Sequence, residues 1–90
     1  MITYTTFIKV GIGINTDLIT LVCKVLYREN IKINKNNVIR FLESEMQERG
    51  SAGFECIYDR YEGIQEYAGI ETDVHTVMSG FGIQDQGKHN

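Results

Sequence analysis

The first stretch of the chain alternates. From Ile2 the even positions are Ile2, Tyr4, Thr6, Ile8, Val10, Ile12 and Ile14, and the odd ones are Thr3, Thr5, Phe7, Lys9, Gly11 and Gly13. Period-two alternation rich in β-branched and aromatic residues predicts a strand with one buried face. On the odd face Gly11 and Gly13 leave a bare strip of backbone, suited to close approach by a second strand, a helix or a ligand. At Asn15-Thr16-Asp17 the period changes. These residue types cap helices because their side-chain oxygens accept the free amide protons of the first turn. Leu18, Leu21, Val22, Val25 and Leu26 then repeat at three and four, with Thr20, Lys24 and Arg28 on the opposite side.

After the polar stretch Asn30-Ile31-Lys32-Ile33-Asn34, in which Ile31 and Ile33 are expected to pin the connection across the core, Asn34 or Asn36 caps a second helix. Its inner stripe is Val38, Phe41, Leu42 and Met46, widened by Ile39, its outer side carries Arg40, Glu43, Glu48 and Arg49, and Gly50 supplies a left-handed stop. Beyond the joint Ser51-Ala52-Gly53, the spacing of Phe54, Ile57, Tyr61, Ile64 and Ala68 favours a helix. Residues 54–58 would also serve as a short strand, and Gly63 weakens a helix running through it. Thr72 or Asp73 opens a last short helix through Val77 and Met78 to Gly80, and residues 84–90 are expected to be a disordered tail.

The expected fold is therefore a single small α+β domain over residues 1–83: one N-terminal strand, paired across a homodimer or with a later strand, and two to four helices. At 90 residues the buried fraction is modest, which makes oligomerisation the expectation, and an unpaired strand at residues 8–14 would leave an open edge. With 42% hydrophobic and 23% charged residues the composition is that of a soluble globular protein. No apolar run approaches the roughly 18 residues of a membrane span, and the N-terminus lacks a basic leader before an apolar block. A cytoplasmic location without membrane contact is expected. The net charge of −3 hides an asymmetry: residues 1–50 sum to +2 and residues 51–90 to −5, so the halves face different partners, or one another.

Catalytic chemistry finds little support, and the chain is expected not to be an enzyme and to carry no cofactor. Gly11-x-Gly13 between strand and helix is the setting of a phosphate-cradling loop, but the third glycine and the GK[ST] element are missing. Cys23 and Cys56 show no CxxC spacing and no nearby histidine pair, which argues against metal and for two reduced, mostly buried thiols. His75 and His89 are the only histidines, and no nucleophile, base and orienting group can be assembled around either. Tyr58, Tyr61 and Tyr67 interleave with Asp59, Glu62 and Glu66. Rings set among carboxylates repel phosphate but suit a protein partner, since tyrosine offers large contact area at low entropic cost. The plainer alternative places Tyr61 in the core with the others covering it.

The order strand, capped helix, short polar connection, second helix, carried by Ile8-Lys9-Val10-Gly11-Ile12-Gly13-Ile14 leading into Asn15-Thr16-Asp17-Leu18, resembles the ribbon-helix-helix DNA-binding family over roughly residues 7–50. The resemblance implies a homodimer whose paired strands enter the major groove. Phe7, Lys9 and Gly11 would face outward as readers, and Lys35, Asn36 and Asn37 would meet phosphate at the start of the second helix. One lysine beside glycine offers few of the bidentate contacts that discriminate base pairs. A second stretch, Ile33 to Leu42 with Glu48-Arg49-Gly50 after it, resembles the recognition helix and wing of helix-turn-helix proteins, although residues 30–34 are too short to hold the intervening helix. Two functions are thus expected of the sequence: a small ribbon-helix-helix-like regulator of transcription, or a small phage-type inhibitor that binds a host protein through Tyr58, Tyr61, Glu62, Glu66 and Tyr67.

Overall fold

A computed structural model describes residues 15–50 and 53–83 of the chain. They form four helices in order: α1 (Thr16–Arg28), α2 (Lys35–Arg49), α3 (Gly53–Arg60) and α4 (Glu71–Gly80). The α+β expectation is corrected accordingly: the described residues contain no strand, and residues 54–58, open to either reading in the sequence, lie within α3. The strand through which a homodimer was expected to pair, residues 8–14, is not among the described residues. The alternating segment 2–14 and the tail 84–90 fall outside the described residues.

Side-chain caps and left-handed turns set most of the described helix ends. Asn15 caps α1 by accepting the Leu18 N–H at 2.8 Å, and Asn34 caps α2 by accepting the Asn37 N–H at 2.8 Å. The end of α1 is a Schellman turn. Asn30 takes the left-handed conformation (φ 63°), its N–H donates to the Tyr27 carbonyl at 3.1 Å, and the Ile31 N–H donates to Leu26 at 2.9 Å. The end of α4 repeats the device with Gly82 at φ 76°, where the Ile83 N–H donates to Met78 at 2.9 Å. Helix α3 stops at Arg60 instead of running on to residue 68, because Gly63 (φ 80°) turns the chain and the Ile64 N–H donates to Tyr61 at 3.0 Å. Helix α4 starts at Glu71 without a side-chain cap; the preceding residue is Ile70, which is buried, so core packing sets this start where Thr72 or Asp73 was expected.

Helix α1 is central. It packs on both α2 and α4, while α3 packs on α2. Contact on two sides explains why Ile19 and Cys23 are as fully buried as Leu18, Val22 and Leu26, so that the apolar surface of α1 is wider than one stripe. Val38, Leu42 and Met46 of α2, Ile57 of α3, and Ile70, Val74, Val77, Met78 and Phe81 around α4 complete the core. Ile33 packs at its edge, but Ile31 does not cross it: 45% of its surface is exposed.

Candidate functional site

The residues expected to meet DNA are not brought together among the described residues. Phe7, Lys9 and Gly11 lie outside them. Lys35 opens α2, but its aliphatic stem lies along α4: a Cβ built on Gly80 would come within 3.2 Å of Lys35 Cδ, and Nζ is 5.4 Å from the Phe81 ring centre. Lys35 thereby ties the start of α2 to the end of α4. The Asn37 side chain donates to the Lys32 carbonyl at 2.8 Å and so fastens the α1–α2 connection, whereas Asn36 is exposed.

The tyrosine and carboxylate residues fare differently. Tyr58, Tyr61, Glu62 and Glu66 line one surface depression of about 510 Å³, and its opposite wall is α1, through Asp17, Leu21 and Lys24. Tyr58 stands at the lip, 40% exposed, with its hydroxyl 3.4 Å from Asn15 Oδ1, too long for a strong bond. Lys24 closes one end by an ion pair to Glu66 at 2.6 Å. Tyr67 is placed elsewhere, its ring centre 4.7 Å from that of Tyr27.

Tyr61 is half-buried and serves as a hub. Its hydroxyl accepts from Arg60 Nη2 at 2.7 Å, the guanidinium carbons of Arg60 and Arg28 lie 4.9 and 5.3 Å from its ring centre, and the Phe41 ring is 6.1 Å away. Behind it stands the one buried charged residue among those described. Glu45 of α2 accepts from Arg60 Nη1 at 2.5 Å and pairs with Arg49 at 3.4 Å. The carboxylate holds the Arg60 guanidinium above its ordinary pKa, chiefly through that hydrogen bond. Glu45 thus fixes Arg60, Arg60 fixes Tyr61, and the floor of the depression is tied to the α2–α3 contact.

Sequence reasoning missed Glu45 and Lys24. A signal for Glu45 was present, since it falls on the Val38-Leu42-Glu45 stripe at helical spacing, and a carboxylate on a buried stripe needs a cation. Lys24 has no comparable signal: only the return of residues 64–66 over α1 buries its stem and leaves the side chain 14% exposed.

The remaining chemistry is quiet. No group of three or more histidine, cysteine or acidic side chains able to hold a metal ion occurs among the described residues, and no helix among them is long and apolar enough to cross a membrane. Both cysteines are free, Cys23 buried and Cys56 half-buried. Burial, and to a lesser extent the charge of Asp73, pushes the Cys23 thiol from 9.0 up to about 12. At pH 8 an alkylating reagent is therefore expected to modify Cys56 in the native protein and to reach Cys23 only in denaturant; two equally fast thiols would contradict this burial. The sign of the linkage follows: a folded-state pKa raised above the unfolded one contributes stability that is complete below pH 9.0 and is lost as pH climbs toward about 12. No protein family, curated protein or solved structure matches the chain.

Proposed function

We propose that the chain is a non-enzymatic protein-binding domain, a small inhibitor or adaptor that holds a host protein against the surface formed by Tyr58, Tyr61, Glu62 and Glu66. The observation that carries this reading is the depression itself. It joins residues 58–66 to a helix some 40 positions earlier, has Leu21 and Ile64 in its lining, and has an exposed aromatic ring at its lip. Concavity, apolar lining and a tyrosine at the edge are the usual constituents of a binding hot spot. The structured floor supports it further, because Tyr61 is held before any partner arrives and little ordering is left to oppose binding.

The test separates binding from folding. Tyr58→Ala is expected to leave the melting curve nearly unchanged, since the ring is exposed, and to weaken capture of a partner from host lysate by about 2 kcal/mol or more. A variant that melts normally and captures as well as the parent would end the reading.

A second reading, a DNA-binding regulator, has one observation in its favour: the first turn of α2 carries no acidic side chain, and Asn36 in it and Lys32 just before it are exposed. Its test is duplex binding at low ionic strength. Affinity undetectable for every sequence tried would remove it, and affinity present should decline on Lys32→Ala with a smaller salt slope, by about one unit for each phosphate no longer neutralised.

A further inference from the structure

Two of the three large apolar side chains exposed among the described residues sit together at the end of α1: Tyr27 is 46% exposed and Ile31 is 45% exposed. The Schellman turn is what projects them. Left-handed Asn30 swings the chain outward, and Ile31 follows it as a knob with the exposed Lys32 beside it; Arg28, nearby, is paired with Glu29 at 3.2 Å. Next to this knob lies a hollow of about 390 Å³ between α1 and α4, separate from the Tyr58 depression and divided from it by the Lys24–Glu66 ion pair. Ile70, Val74 and Met78 give it an apolar floor, and Glu71 an acidic rim beside the Lys24–Glu66 pair. His75 and Lys24 also line it; Lys24 is already matched by Glu66. Tyr67 borders both the knob and the hollow, and its ring packs on Tyr27, so the two adjoin on one face of the molecule.

A basic apolar projection beside an acidic apolar hollow is a self-complementary surface. We propose that this face is a homodimer interface in which a two-fold axis passes near the Tyr27–Tyr67 pair and the Ile31 knob of each copy enters the hollow of the other. Ile31 covers the apolar floor, while Lys32 meets Glu71; Arg28 stays with Glu29 and Glu66 with Lys24. The occupant is fixed by charge and shape together: the partner must offer a cation beside a branched aliphatic side chain, which the adjacent patch of a second copy does. Adjoining patches that are each other's complement close under two-fold symmetry and use up both surfaces at once. The interface goes beyond the protein-binding reading and does not depend on it, because the Tyr58 depression stays open on the other side of the Lys24–Glu66 pair.

The experiment is sedimentation velocity on the full chain over a range of concentrations, with Ile31→Ser, Lys32→Glu, Glu71→Lys and the double variant Lys32→Glu/Glu71→Lys, each checked by a melting curve. The parent is expected to sediment as a dimer. Each single variant should raise the dimer dissociation constant about tenfold or more, and the double variant should recover most of that loss. Ile31 and Lys32 are exposed, so their replacement leaves the folded protomer intact, and the test does not rest on Glu71 alone. A parent that remains monomeric at about millimolar concentration, a dimer indifferent to Ile31→Ser, or a double variant no better than its singles would each overturn the proposal.

Discussion

Ile57→Ala is expected to lower the unfolding free energy by about 3 kcal/mol, within the range for truncating a buried isoleucine to alanine. For a domain of this size that is roughly 15 °C in melting temperature. Ile57 is wholly inaccessible and, among the described side chains of α3, is the one that enters the core. Removal of three carbons leaves a cavity between α3 and α2 that an eight-residue helix cannot close by shifting, because Arg60 at its end is held by Glu45. Since Tyr58 follows directly and lies at the lip of the depression, the same substitution should also weaken partner capture. Thermal unfolding followed by circular dichroism measures the first effect. A shift within a few degrees of the parent would mean that α3 is not anchored as described.

The second large effect is expected at the ion pair of the buried Glu45 with the more exposed Arg60. Arg60→Ala removes the closest partner of a carboxylate that is 8% exposed and leaves it with Arg49 at 3.4 Å, so a loss of about 2 kcal/mol or more is expected. Glu45→Met should be less damaging, because it removes the charge that needed solvation and puts an apolar side chain of similar length on the Val38-Leu42 stripe. Denaturant titrations of both single variants and the double variant form a cycle, and a coupling of at least about 1 kcal/mol is expected between groups in direct contact. Additive effects would show that Arg49 alone satisfies Glu45, and the positioning of Tyr61 through Arg60 would then carry no energetic weight.

Local signals were the legible ones. Asn15 marks the start of α1, and Asn34 and Gly50 the two ends of α2, through hydrogen bonds made within a few residues, so the sequence bounds those three ends closely. The inner stripe of α2 was legible for the same reason, as was the stop of α4 at Gly80. What was not legible depends on residues distant in sequence. The spacing in α1 shows one apolar face, but the return of α4 buries Ile19 and Cys23 and makes it two-sided. Ile70 displaces the polar capping residues at the start of α4 because its side chain is wanted in the core. The α+β class rested on the alternation in residues 2–14, whereas every element among the described residues is helical. Tyr58, Glu62 and Glu66 stood out in the sequence as aromatic rings among carboxylates. That Asp17, Leu21 and Lys24 would form the facing wall could not be read, since it follows from the chain crossing back over α1 after Gly63.

The Tyr27–Tyr67 contact also determines how the molecule can be watched. The chain has five tyrosines and no tryptophan, so its near-ultraviolet dichroism and intrinsic emission come largely from tyrosine. Two rings with centres 4.7 Å apart and planes inclined at 51° are held close together in a chiral arrangement, and they join the end of α1 to the segment between Gly63 and Ile70. Their signal therefore follows the seating of that segment, while the far-ultraviolet band follows the helices. In a titration or a thermal ramp, a tyrosine band that fades while the helical band persists marks release of residues 64–70 from an otherwise intact bundle.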